Sequence, residues 1–233
     1  MRHSDNLSNK YGITTIFDDV FRGLKEGDKK LSASENSESG IILETSSKRY
    51  GARGVGITWT LVPKTSKVHL NNNYITDELS LELATRVLST LNSCKYNETI
   101  REHLITNTSA FLFGLNYGLN PDKNLGLTYN LPFAGSPFFT LNLPEQLSAI
   151  DLKKTLGEQG IGLTTGYDWM LPSDLRLDQD IKNKVENSTN NNFFRICPTK
   201  ETPDRCTLAG RIVASQIYAS NEALKNLQKT SNI

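Results

Sequence analysis

Between Gly40 and Glu44 stands an unbroken apolar run, Ile41-Ile42-Leu43. A strand with one wet face alternates apolar and polar side chains, so a contiguous run marks a strand buried on both faces, as in a parallel sheet. Such a sheet needs covering layers above and below, which points to an α/β fold. Two more strands accompany the run. Residues 13–17 are short and β-branched and are closed by Asp18 and Asp19, and residues 57–62 stop at Pro63. Between these strands, residues 25–39 are charged and then Ser-rich, and Tyr50-Gly51-Ala52-Arg53-Gly54-Val55-Gly56 is a glycine-punctuated turn.

From Thr76 the period changes. Thr76 can cap a helix, Asp77 and Glu78 suit its first turn, and Leu79, Leu83, Val87, Leu88 and Leu91 fall on one face. A second helix is expected over 98–110, after which Gly114, Gly118, Asn120-Pro121 and Gly126 read as loops. Residues 138–143 alternate like a strand between Pro137 and Pro144, 147–156 read as a helix before Gly157, and 161–165 as a short strand. Asn190-Asn191-Asn192 turns the chain into a last strand over 193–196. Thr202-Pro203 then opens a final helix with Leu208, Ile212, Val213 and Ile217 as its buried stripe. The change of pattern over 71–77 divides the chain into 1–73 and 74–233. The first portion holds three strands without a strong covering helix, so something must pack on its sheet.

Composition removes whole classes of function. The 233 residues, 37% hydrophobic and 22% charged, describe a globular chain able to bury a core. Twenty-six Lys and Arg against 25 Asp and Glu leave a formal charge of +1, which draws the molecule to neither nucleic acid nor anionic lipid. No apolar run approaches the ~20 residues of a membrane span, and the N-terminus lacks the apolar core of a signal peptide, so a cytoplasmic location without membrane contact is expected. Cys94, Cys197 and Cys206 show no paired spacing, and His3, His69 and His103 are scattered, which argues against a disulfide framework and a metal site. Nucleophile-elbow, Walker and dinucleotide fingerprints are all missing.

Chemistry gathers instead at the ends of the first strands. In open α/β sheets ligands collect beyond the carboxyl ends of parallel strands, where Asp18 and Lys48 would both lie. Taken singly, a strand-end Asp is a turn or cap residue, and a Lys beside Arg49 is a solvated cation. Taken together, a carboxylate and an amine at one strand edge could face one ligand, a reading that needs support beyond the two residues themselves.

The segments TTIFDDVFRGL and ILETSSKRYGARG, in that order, resemble the cofactor segment of the pyridoxal-phosphate-dependent aminotransferases of class I and II. In that family a strand ends in Asp, a Tyr follows three residues later, and a second strand ends in Ser/Thr-x-Ser-Lys. Asp18 and Phe21 stand at the first pair, and Thr45, Ser47 and Lys48 at the second. Further on, GSPFFTLNLP, LGEQGIGLTTGYDWM and NNFFRI with Arg195 are similar in order to the family's small domain, where an Arg in the penultimate strand takes the substrate carboxylate. The resemblance runs from about Tyr11 to the final helix. It implies an aspartate-aminotransferase-type α/β fold, with the end of a truncated large-domain sheet over 1–73 and an interdomain helix and α+β small domain over 74–233. It also implies pyridoxal 5'-phosphate as cofactor, held by Asp18, Phe21, Thr45, Ser47, Lys48 and Arg53, with Lys48 as the catalytic Schiff-base lysine and Arg195 on the substrate. The implied reaction moves an amino group between an amino acid and a 2-oxo acid, in a homodimer or together with a complementing N-terminal fragment. The rival is a non-catalytic homologue that serves as an interaction or regulatory module, or one half of a split enzyme.

These residue types have independent physical reasons. A pyridine nitrogen stays protonated only beside an anion such as Asp18, and protonation is what makes the ring an electron sink. An ε-amine attacks an aldehyde only when deprotonated, so desolvation and nearby cations that lower the pKa of Lys48 would favour it. Arg195 suits a carboxylate because its planar fork meets both oxygens. Three departures from the family accompany the match. Phe21 lacks the hydroxyl of the family's Tyr, Gly56 falls where a phosphate-binding Arg is usual, and the portion that normally precedes the Asp strand, with its phosphate turn and ring-stacking aromatic, has no assigned counterpart.

Overall fold

A computed structural model describes residues 10–18, 20, 24, 40–45, 58–62, 78–93, 96–119, 126–170 and 192–230. The chain divides into two compact units, Met1–Glu102 and His103–Ile233, later than the change of sequence pattern over 71–77.

In the first unit β1 (Ile16–Asp18), β2 (Ile41–Thr45) and β3 (Thr58–Leu61) form one sheet in the order β1-β2-β3. β1 and β2 run parallel with Asp18 opposite Leu43, and the Ile41 amide donates to the Thr15 carbonyl at 2.9 Å. Ile41 and Ile42 are 3% and 0% exposed. Neighbours along a strand point to opposite faces, so β2 is covered on both, as its contiguous run requires. β3 departs from the expected parallel arrangement and returns antiparallel, with Thr45 opposite Thr58. An antiparallel return asks only for a turn, whereas a parallel crossover asks for a helix-sized connection, and the glycine-punctuated sequence over 50–56 suits the former. The helix α1 (Glu78–Ser93) forms where its period predicts, although Leu83 on the expected apolar face is exposed.

In the second unit β4 (Thr128–Asn130), β5 (Phe139–Asn142), β6 (Thr164–Thr165) and β7 (Phe193–Ile196) form an antiparallel sheet in the order β4-β5-β7-β6. Among the described residues its α-helices are the part of α2 (Tyr96–Gly118) beyond Glu102, α3 (Ala149–Glu158), α4 (Tyr167–Met170) and α5 (Pro203–Thr230). One face of the sheet sends Phe139, Leu141, Phe194 and Ile196 into a core closed by Phe111 and Leu115 of α2, Leu152 and Leu156 of α3, and Val213 and Ile217 of α5. Phe111 meets Phe139 edge to face at 5.7 Å between ring centres. The N-terminus of α3 is capped by Ser148, whose hydroxyl accepts from the Asp151 amide at 3.2 Å.

Three expectations change here. Gly114 and Gly118 lie inside α2 rather than in loops, because α5 crosses there at a separation that leaves no room for a Cβ. For the same reason the buried stripe of α5 runs through Cys206, Gly210, Val213, Ala214 and Ile217, and Leu208, two residues from Cys206 and Gly210 and hence on the far side of the helix, is 58% exposed. β4 was not signalled: its three residues are all exposed, so pairing to β5 and not burial makes it a strand. Among the described residues no helix is long and apolar enough to cross a membrane.

Candidate functional site

Parallel pairing brings the carboxyl ends of β1 and β2 to one edge of the first sheet. Thr45 lies two residues beyond Leu43, the partner of Asp18, so alternation sets Asp18, Leu43 and Thr45 on one face. Asp18 is exposed, and its Oδ1 accepts from the Val20 amide at 3.4 Å, the turn bond of a strand-end Asp. Thr45 is 8% exposed. An exposed carboxylate and a buried hydroxyl therefore share a strand-end edge, the position at which ligands collect in such sheets. Phe21, Ser47, Lys48 and Arg53 lie outside the described residues.

Arg195 belongs to the second unit and sits in the middle of β7, opposite Thr140 of β5 and Thr164 of β6. Phe194 and Ile196 on either side of it are 0% and 3% exposed and face the core, so alternation turns Arg195 to the other face of the sheet. Its sequence neighbours Phe194 and Ile196 thus do not wall it in. The aromatic that does is Phe138, whose ring lies 4.0 Å from the guanidinium carbon. Phe193, opposite Asn142, shares that face, and its polar groups are Thr140 and Thr164 flanking the Arg and Asn142, whose amide donates to the Thr128 hydroxyl at 3.0 Å.

Two asparagines fix the ends of β7. Asn192 enters it with a side chain that donates to the carbonyls of Pro144 and Leu147 at 3.1 and 2.8 Å and accepts from the Ala149 amide at 2.9 Å. Asn107 of α2, fully buried, holds the exit: its side-chain nitrogen donates to the carbonyls of Pro198 and Glu201 at 2.8 and 2.7 Å. Beside β7, the carboxylate of Asp168 accepts from the Lys153 ammonium at 2.7 Å on both oxygens, from the Thr165 amide at 2.6 Å and from the Thr165 hydroxyl at 3.0 Å. Burial by itself raises this carboxyl, but the Lys153 and Thr165 bonds outweigh it and hold the group below the ordinary carboxylate range. Phe138 and Asn192 stand inside the segments GSPFFTLNLP and NNFFRI, which assign neither a role, and Asn107 stands in no motif. The first two could have been found by counting the alternation of β5 and β7 outward from Phe139 and Phe194, the third by nothing in the local pattern.

The same unit holds a cavity of about 410 Å³ bordered by Phe111, Ile161, Ile196, Cys206 and Ile212, with the Glu201–Arg205 ion pair (3.0 Å) also lining it. It opens on the Ile196 side of β7, away from Arg195.

In fold the chain corresponds to part of the aspartate-aminotransferase-type PLP-dependent transferases. The chain is similar to the α-aminoadipate aminotransferase of Thermus thermophilus at 16% identity and a TM-score of 0.70, over 95% of this chain and 54% of that one. It is similar to a multiple substrate aminotransferase of Thermococcus profundus at 16% identity and a TM-score of 0.69, over 94% and 51% of the two chains. The Pyrococcus horikoshii kynurenine aminotransferase matches at 15% identity and a TM-score of 0.60, over 94% and 51%. The chain thus spans about half the length of the solved enzymes it matches, and at these identities the likeness is one of fold. No protein-family model matches the sequence, and neither does any curated protein.

Proposed function

We propose that the chain carries the aminotransferase-like half of a site that transfers an amino group between an amino acid and a 2-oxo acid with pyridoxal 5'-phosphate. The observation that carries this reading is that Asp18 and Thr45 share one face at the carboxyl edge of β1 and β2, with Thr45 three residues before Lys48 in sequence. A carboxylate suits a protonated pyridine nitrogen and a hydroxyl suits a phosphate oxygen, so this donor set fits the two polar ends of the cofactor. Among the matched structures, the α-aminoadipate aminotransferase holds N-(5'-phosphopyridoxyl)-L-leucine and the kynurenine aminotransferase holds PMP. Bound pyridoxal phosphate supplies an electron sink for charge developing at the substrate Cα.

The chain's own residues do the rest. Asp18 would hold the proton at the ring nitrogen, because an adjacent anion favours the charged pyridinium. Lys48 would be the residue that holds the cofactor through its amine, and the same amine would serve as general base and acid for the substrate Cα proton. Thr45 would donate to the phosphate, with Ser47 and Arg53 two and eight residues further along the chain as its partners there, and Phe21 would line the ring. Arg195 binds the substrate carboxylate through its fork. Residues 1–73 are in this reading the end of the cofactor-binding domain, and 74–233 the interdomain helix and small domain. A second copy or a complementing fragment supplies the remaining phosphate contacts, and the location is cytoplasmic.

The test is to incubate the full chain with pyridoxal phosphate, reduce with borohydride and locate the pyridoxyl label by peptide mass. The expected label is on Lys48 and disappears in Lys48→Ala. Label spread over many lysines, or retained at the wild-type level in Lys48→Ala, overturns the assignment and favours a non-catalytic interaction module.

A further inference from the structure

We propose that Phe138 is a positioning residue for Arg195: its ring is the platform that holds the guanidinium in the orientation in which a carboxylate meets its edge. This rests on the reading of Arg195 as the carboxylate ligand. The geometry begins with register. Thr140 is opposite Arg195 and Phe139 is opposite Ile196, so Phe138 comes two residues before Thr140 and lies diagonally across from Arg195 on the same face. Because Phe139 is 0% exposed in the core, alternation leaves its neighbour Phe138 no other face to occupy. The guanidinium carbon sits 4.0 Å from the centre of the Phe138 ring, well inside the reach of a cation–π contact.

The backbone that carries the ring is itself fixed. Ser136 is 1% exposed, and its hydroxyl donates to the Phe138 carbonyl at 2.6 Å while the Phe138 amide donates back to the same oxygen at 3.5 Å. The Ser136 amide donates to the Phe133 carbonyl at 3.0 Å, closing a turn that passes through Gly135 at φ 85°, a conformation that glycine adopts at no steric cost. A buried hydroxyl is thus devoted to the backbone of the residue whose ring carries the Arg. Stacking uses the face of the guanidinium plane, whereas a carboxylate binds the N–H groups at its edge, so the two interactions do not compete. A long side chain already held in its binding orientation loses less freedom when the ligand arrives.

The experiment follows the Nε–Hε signal of Arg195 by NMR in the ¹⁵N-labelled full chain, assigned by its loss in Arg195→Lys, with 2-oxoglutarate as the probe. The wild type is expected to show a ring-current displacement of this signal and to bind 2-oxoglutarate. Phe138→Leu, which keeps apolar bulk without a ring, should abolish the displacement and weaken binding roughly two- to tenfold, and Phe138→Tyr should restore both. If Phe138→Leu does not fold, Phe138→Met takes its place. If Phe138→Leu binds like the wild type while Arg195→Lys binds weakly, the positioning role is refuted and the carboxylate reading stands. If the wild type binds no 2-oxoglutarate, or Arg195→Lys binds it equally well, the carboxylate reading fails and takes the inference with it.

Discussion

The crossing of α2 and α5 sets two magnitudes against each other. Intrinsic helix propensity says that Ala in place of Gly114 or Gly210, both well inside their helices, should gain ~1 kcal/mol each. Sterics say the reverse. A Cβ at Gly114 falls onto the Thr207 carbonyl oxygen and lies 2.8 Å from its carbon, and a Cβ at Gly210 falls onto the Phe111 carbonyl oxygen and lies 2.7 Å from the Leu115 amide nitrogen. Cβ atoms essentially never come within 3.0 Å of such neighbours, and these are helical backbone atoms that cannot swing aside, so the helices must part. Parting them loosens Phe111, Leu115, Val213, Ala214 and Ile217, which are all 0 to 3% exposed. Overpacking of this kind costs up to ~3 kcal/mol; less the propensity gain, Gly114→Ala should lose a net ~2 kcal/mol. In urea unfolding followed by far-UV circular dichroism, that is a midpoint lowered by about 1 M. Gly157→Ala in α3 is the control, since nothing lies within 4 Å of its Cβ, and it should gain up to ~1 kcal/mol. Once the helices have parted, the second methyl finds room, so Gly114→Ala with Gly210→Ala should cost less than the sum of the two. A Gly114→Ala midpoint at or above the wild-type value would refute the reasoning.

Two further outcomes follow from the surroundings of β7. Asn192→Ala removes three hydrogen bonds to backbone groups, and at ~0.5–1.5 kcal/mol each the loss should come to ~3 kcal/mol in urea unfolding; Asn192→Asp keeps the acceptor but sets a carboxylate against two carbonyls, so it should be worse at neutral pH than at acid pH. Asp168 has its carboxyl held below its unfolded value of ~3.9, so its contribution is present above that pH and is lost as the pH falls through the folded value. The side chains of Lys153 and Asp168 are 38% and 36% exposed, so the benefit should stay under ~1 kcal/mol. The urea midpoints of wild type and Asp168→Asn should differ at pH 7 and converge toward pH 2.

What was legible in the sequence tracks how local the cause is. The contiguous Ile41-Ile42-Leu43 run announces burial on both faces, and Ile41 and Ile42 are both buried. The capped periodic segment after Thr76 announces α1, and Pro203 announces α5. Gly114 misled because a glycine looks the same whether it breaks a helix or admits a neighbouring one, and only the partner, Gly210 on a helix far along the chain, tells the two apart. The antiparallel return of β3 is settled by a pairing register that no single strand contains. At the candidate site, Asp18 and Arg195 were legible as types of residue at strand positions, but the ring that carries Arg195 was not, because it is two residues from the point opposite the Arg on a strand distant in sequence.

The placement of Arg195 also shows how a short strand holds one charged side chain in place. β7 has four residues, and a slip by one position would turn Phe194 and Ile196 outward and drive the guanidinium into the space beside Phe139 and Leu141. Exposing two large apolar side chains costs roughly 1.5–3 kcal/mol each, and an unpaired buried cation costs several more, so the core itself selects the face on which the Arg appears. A four-residue ladder is nonetheless too short to set its ends firmly. Asn192 at the entrance and Asn107 at the exit do so through side-chain bonds to backbone atoms of the flanking segments. Both anchors act on the strand from the core side or from its ends, so neither touches the outer face on which Arg195 lies over the Phe138 ring.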